Sequence, residues 1–193
     1  MTLYRGYDAH QLEAEYNARA SIPDHPLIFA RWAAASAAAR KRAFARLDVA
    51  YGDGPMEKMD IFHPPRVAAP VVLFIHGGYW RSLDKNDFSD KVSALTDAGA
   101  AVAVVNYSLC PSVTIGEIVD EMRRAVIWLW RNAQTFGGDP YRIQIVGHSA
   151  GGHLVAMLLA THWQDLGSDL PRCPIQSALA ISGLFDLEPL VHT

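Results

Sequence analysis

The sequence predicts an α/β fold: a mostly parallel central sheet with helices on both faces and an antiparallel hairpin at its N-terminal edge. Three observations carry this. Continuous apolar runs of strand length stand at 71–75, 101–105, 143–146 and 178–181, the texture of strands covered on both faces. Segments with helical spacing lie between them, and strands alternating with helices argue a parallel sheet. Two alternating stretches, 46–51 and 56–62, flank Gly52-Asp53-Gly54-Pro55, which is hairpin chemistry.

Taken in order, residues 8–20 and 26–46 read as helices, the second rich in alanine, the best helix former. Neither carries a chemical motif, so 1–45 reads as a helical lead-in and, by position, a candidate lid, while 46–193 reads as a partial α/β core within a single domain. The hairpin follows, then the strand at 71–75 and the strand at 101–105. In 117–133 the positions Ile118, Met122, Ala125, Leu129 and Ala133 form one apolar face. Thr114 and Glu117 have capping-box spacing ahead of that helix, and Gly137-Gly138-Asp139-Pro140 supplies its stop. After the strand at 143–146, residues 152–163 are apolar nearly all round, as in a buried helix.

Composition closes off several classes of function. The chain has 193 residues, half of them hydrophobic and 19% charged, far too apolar for global disorder. Its net charge is −3 with no basic cluster beyond Arg40-Lys41-Arg42, so no nucleic-acid partner is expected. No apolar run reaches the roughly 20 residues of a membrane span, and residues 1–20 mix charges among the apolar positions, unlike a signal peptide. Cys110 and Cys173 form no CxxC, so neither a disulfide framework nor a zinc site is expected, and a cytoplasmic location follows as the default. No histidine pair has H-E-x-x-H spacing; no metal and no cofactor are expected.

Two motifs carry chemistry. Gly147-His148-Ser149-Ala150-Gly151 lies directly between a buried strand and a buried helix, the setting of a G-x-S-x-G nucleophile elbow. The serine must sit on a very tight turn there, and the following helix N-terminus favours developing negative charge. The dinucleotide fingerprint G-x-G-x-x-G is not met, because Ser149 occupies its third position. The second motif, His76-Gly77-Gly78-Tyr79-Trp80, follows the strand at 71–75. A glycine pair at a strand end lets backbone N–H groups face a site, and acyl transfer needs at least two for its tetrahedral oxyanion. Gly77, Gly78 and Tyr79, with Ala150 after the serine, are the candidate oxyanion hole. Tyr79 and Trp80 are candidates for an aromatic pocket wall, against the plainer reading of core aromatics beside a strand end.

On these residues the chain resembles the α/β-hydrolase superfamily, in the branch shared by hormone-sensitive-lipase-like esterases and kynurenine formamidases (arylformamidases). His-Gly-Gly-Tyr-Trp at 76–80 is similar to the formamidase variant of the oxyanion motif, as are Gly-His-Ser-Ala-Gly-Gly-His-Leu at 147–154 and Ser-Gly-Leu-Phe-Asp-Leu-Glu-Pro-Leu at 182–190. The resemblance implies hydrolysis of an aryl formamide, N-formylkynurenine to kynurenine and formate in tryptophan breakdown, or of small carboxylic esters. The implied partner is a small acyl or formamide substrate.

The resemblance also implies a triad in the order Ser, Asp/Glu, His, with acid and base on strands beyond the sixth. Only 44 residues follow Ser149, so the last strands of the fold are expected to be missing. Asp186 and His192 are the candidate substitutes within the chain. His148 and His153 read as packing residues, and His76 reads as an anchor for the oxyanion loop. Three readings therefore stand: a working serine hydrolase, a catalytically silent hydrolase fragment without acid and base, and a binding module using the same pocket. An uncovered strand edge and sheet face would also invite homo-oligomerisation.

Overall fold

Three of the four apolar runs, 71–75, 101–105 and 143–146, form the middle of a sheet, and the fourth lies at its edge. The computed structural model describes residues 2–42 and 44–192; Met1, Thr193 and Ala43, which falls inside the helix expected over 26–46, lie outside the described residues. In chain order the elements are α1 (Ala9–Tyr16), α2 (His25–Arg42), β1 (Ala45–Ala50), β2 (Lys58–Phe62), β3 (Ala69–Ile75), α3 (Val92–Asp97), β4 (Ala101–Val105), α4 (Ile115–Asn132), β5 (Gly138–His148), α5 (Ala150–Leu159) and β6 (Ile175–Ile181). Short 3₁₀ turns punctuate the loops, among them Lys85–Asp87, Ser89–Lys91 and Glu188–His192.

The six strands form one sheet in the order β1-β2-β4-β3-β5-β6. β1 pairs antiparallel with β2, and β2 with β4, while β4, β3, β5 and β6 run parallel. β3 is thus central, with Phe74 facing Val104 on one side and Val146 on the other. Because side chains alternate along a strand, Val71, Leu73 and Ile75 join Ala103, Val105 and Ile145 on the face packed by α4 and α5. Val72, Val102 and Val104 face the opposite layer, where Phe88 and Trp32 of α2 meet them.

The local signals explain most boundaries. Thr114 accepts from the Glu117 amide, and the Glu117 carboxylate accepts from the Thr114 amide at 2.7 Å, so α4 opens with the reciprocal cap its sequence predicts. Its stripe of Ile118, Met122, Ala125 and Leu129 is fully buried; each large apolar side chain so covered contributes roughly 1.5–3 kcal/mol. Gly137 adopts the left-handed conformation after the following 3₁₀ turn.

Several expectations need correction: the first helix ends at Tyr16 rather than 20, and the buried helix spans Ala150–Leu159 rather than 152–163. The second helix ends at Arg42 rather than 46, because the chain must extend to let Ala45 pair with Phe62. β5 begins at Gly138, not 143, since Gly138 already pairs with Ala69 across the site of the expected turn. β6 begins at Ile175 and is not buried on both faces: past Ile175 every residue is exposed, Leu179 by 55%. It pairs with β5 alone among the described residues, so its outer edge and much of its apolar surface lack cover. Among the described residues no helix is long and apolar enough to cross a membrane.

Candidate active site

The floor of the site is the turn between β5 and α5. Ser149 has φ 55° and ψ −118°, a strained backbone that a tight turn imposes on a non-glycine residue. Its own N–H donates to the Ile181 carbonyl at 2.8 Å, tying the turn to the end of β6. Glycines two positions either side permit the turn because backbone passes where side chains would lie. A Cβ on Gly147 would stand 2.1 Å from the Gly151 carbonyl oxygen, and one on Gly151 would stand 2.2 Å from that of Ile75.

The loop after β3 lies against this turn. A Cβ on Gly77 would be 3.1 Å from the Cβ of Ser149. Gly78 has φ 119°, and Tyr79 and Trp80 also have positive φ, so consecutive amides are turned out of the sheet direction. The N–H groups of Gly78, Tyr79 and Ala150 bond to no acceptor among the described residues. That of Ala150 is a first-turn helix amide without an intrahelical partner. The loop is fixed from below by His76, which is fully buried. Its Nδ1 lies 2.7 Å from the Gly77 carbonyl, its Nε2 lies 3.2 Å from Asn106 Oδ1, and its ring stacks on Tyr107 at 4.2 Å. His76 thus sits where an anchor of the loop would.

A network that the sequence reading missed continues this support. Asn106 Oδ1 accepts from the Lys85 amide, and Asn106 Nδ2 donates to Asp84 at 2.9 Å. The Lys85 ammonium, nearly inaccessible, is 2.7 Å from Asp60 and 2.9 Å from Asp48. Asp60 itself has no exposure at all. One signal was available: Asp60 interrupts the apolar residues Met59 and Ile61, and a carboxylate there needs a buried partner.

Above the serine opens a cavity of about 720 Å³. It is lined by the Gly77–Leu83 loop with His148 and Ser149, and by the two N-terminal helices and the turn between them, through Tyr16, Arg19, Phe29 and Trp32. The candidate lid 1–45 therefore does border the site. Tyr79 and Trp80 both line the cavity, but Trp80 is almost wholly buried and packs edge-on against His153 at 5.2 Å, so its bulk belongs to the core.

The two substitute triad residues make no hydrogen bond to the serine among the described residues. Asp186 accepts from the Tyr4 hydroxyl at 2.6 Å and stands 3.9 Å from Arg5. The Tyr4 hydrogen bond holds its carboxyl below the ordinary carboxylate range. No hydrogen bond or ion pair joins Asp186 to His192 among the described residues, and none joins an imidazole to the Ser149 hydroxyl. The described residues contain no cluster of His, Cys, Asp and Glu able to hold a metal ion.

Burial lowers the pKa of His76 and of His153. A histidine whose folded pKa is depressed binds fewer protons when native than when unfolded, so stability is fully present above about pH 6.5 and falls below it. Thermal unfolding is accordingly expected at a lower temperature at about pH 5.5 than at about pH 7.5. His153→Gln is expected to reduce that difference, and an unchanged difference would remove His153 from the account.

A mostly parallel sheet of this order with a strained serine at the turn after its central strands has the architecture of an α/β-hydrolase. The comparisons narrow this. The family model BD-FAE matches residues 59–188, and the chain belongs to that family. It is 34% identical over 157 residues to a kynurenine formamidase of Salmo salar, covering 80% of this chain and 51% of that protein. It is 32% identical over 157 residues to the esterase LipQ of Mycobacterium tuberculosis, covering 77% and 37%. A crystal structure from Silicibacter sp. tm1040 superposes with a TM-score of 0.74 at 35% identity, over 96% of this chain and 66% of that one. Esterase B of Lactobacillus rhamnosis, at 23% identity and a TM-score of 0.61, shares the fold. The chain spans about half the length of the kynurenine formamidases it matches.

Proposed function

We propose that the chain is a serine hydrolase of the formamidase and esterase kind, acting on aryl formamides such as N-formylkynurenine or on small carboxylic esters. The observation that carries this reading is the Ser149 turn, strained as a nucleophile elbow is and open to a cavity beside three unpaired amides. The kynurenine formamidases and esterases among its relatives support the substrate class. In this reading Ser149 Oγ attacks the substrate carbonyl and the N–H groups of Gly78, Tyr79 and Ala150 hold the oxyanion, with Gly77 giving the loop its close approach. The Ser149 hydroxyl proton passes to the departing amine or alcohol, and water then attacks the acyl-enzyme, giving one proton back to Ser149 Oγ and releasing formate or a carboxylate. We propose a role in tryptophan breakdown from the likeness to kynurenine formamidases, and a cytoplasmic setting from the sparse cysteines.

One observation favours a second reading, a formed but inert elbow: no imidazole reaches Ser149 among the described residues, and Asp186 is engaged by Tyr4. A serine without a base is a weak nucleophile. A fluorophosphonate probe separates the two, because it reacts quickly only with an activated serine. Labelling of the purified chain that disappears in Ser149→Ala is the expected result. A folded chain that stays unlabelled would establish the inert reading instead. Pairing of two copies through the free edge of β6 is part of the same proposal. Size exclusion with light scattering is expected to report a species larger than the monomer, and a monodisperse monomer would count against that pairing.

A further inference from the structure

We propose that Arg19 and Arg81 form an anion subsite beside the serine, and that the cavity takes aromatic ligands carrying a carboxylate. The subsite rests on the proposed acyl site for its orientation and not for its existence. Arg19 comes from the N-terminal segment and reaches across the cavity, where its Nη2 donates to Ser82 Oγ at 2.6 Å. Ser82 Oγ in turn donates to the Gly78 carbonyl at 2.8 Å. A guanidinium is thereby tethered one hydroxyl away from the loop whose amides face the serine. Its other flank lies over the Phe29 ring, 5.6 Å from the centroid. Arg81 lies over the Tyr79 ring at 5.0 Å. Both are lining residues of the cavity.

Neither guanidinium has a carboxylate partner among the described residues, whereas Arg5, Arg123, Arg124 and Arg131 each pair with one. The single acidic lining residue, Glu13, accepts from Asn17 at 3.5 Å and is not within ion-pair distance of either arginine. The lining thus carries two cations against one anion. A guanidinium has five donors in a rigid fork suited to a carboxylate. Seated on an aromatic face with one donor engaged, Arg19 keeps others free. Phe29, beneath Arg19, meets Trp32 ring to ring at 5.5 Å, and both line the cavity, so a ring bearing a carboxylate finds an apolar wall and a cation together. Charge-assisted bonds of this kind correspond to about a tenfold or greater change in affinity.

The test is a fluorescence titration of the full chain with 2-aminobenzoate and with the neutral 2-aminobenzamide. Wild type is expected to bind the anion at least about tenfold more tightly. Arg19→Met is expected to erase that preference while leaving the unfolding temperature unchanged, since Arg19 is exposed. Arg46→Met, on β1, is expected to leave it intact. Equal affinities for the two ligands, no saturable binding of either at millimolar concentration, or an equal weakening of both in Arg19→Met would each overturn the subsite. Probe labelling of Ser149 is read separately, so an inert serine with an intact anion preference refutes the hydrolase and not the subsite.

Discussion

Lys85→Met is expected to lower the stability of the chain by about 3–5 kcal/mol, the usual result of leaving one partner of a buried ion pair behind. Asp60 would then keep a charge with no solvent exposure and a single amide donor, that of Asp48 at 2.9 Å. For a domain of this size the melting temperature should fall by roughly 10 °C. The effect should also reach the site, because the Lys85 amide bonds Asn106 and Asn106 meets His76. Fluorophosphonate labelling should therefore slow in the variant even where it remains folded. Pairing Lys85→Met with Asp60→Asn removes the stranded charge and should recover part of the loss, so that the two changes are not additive. Urea unfolding decides it. A loss below about 1 kcal/mol would mean that Asp48 and the solvent beside it already satisfy the site.

Gly151→Ala is expected to be at least as damaging. The added methyl would lie 2.2 Å from the Ile75 carbonyl oxygen and 2.7 Å from that of His76. Both are backbone atoms at the end of the central strand, so relief requires α5 to move off β3 and Ser149 with it. Overpacking ordinarily costs about 1–3 kcal/mol; with no flexible side chain to yield, the upper end or beyond is expected. Gly116→Ala is the control. Its methyl would meet only Thr114 Oγ1, at 3.7 Å, and alanine in a helix gains up to about 1 kcal/mol over glycine. Parallel thermal unfolding of the two variants should show opposite signs. A Gly151→Ala chain as stable as wild type would mean that α5 is free to shift on the sheet.

What could be read from the sequence was what is written locally. The apolar run at 101–105 is strand β4 to the residue, and Thr114 with Glu117 marks the start of α4 because both halves of the cap lie within one turn. The serine turn was legible for the same reason: its two glycines, its strand and its helix are contiguous. The sequence misleads where structure depends on distant partners. Ala178, Leu179 and Ile181 have the composition of a buried strand, yet burial belongs to what covers a strand, and here little does. The Lys85–Asp60 pair spans 25 positions and two loops, with no spacing rule to announce it. The cavity wall was hidden likewise, since the alanine-rich α2 shows no sharp apolar stripe to tell which residues face the serine. Asp186 follows a strand as a triad acid can, but that position does not disclose that Tyr4 reaches it first.

That last contact has a consequence for the order of assembly. Tyr4 and Asp186 are 182 positions apart, and α1 buries little of its own beyond Leu12. As the chain emerges from a ribosome, α2 can dock once Asn86, Ser89 and Asp90 have appeared, because those are the residues its Arg40 and Ser36 hold. α1 must wait for the segment after β6, which carries Asp186. Contacts of such span close late, since the loop entropy must be met before they form. The pocket therefore acquires the Tyr16 part of its lining after the Phe29 and Trp32 part, and that later piece is the one able to detach without disturbing the sheet.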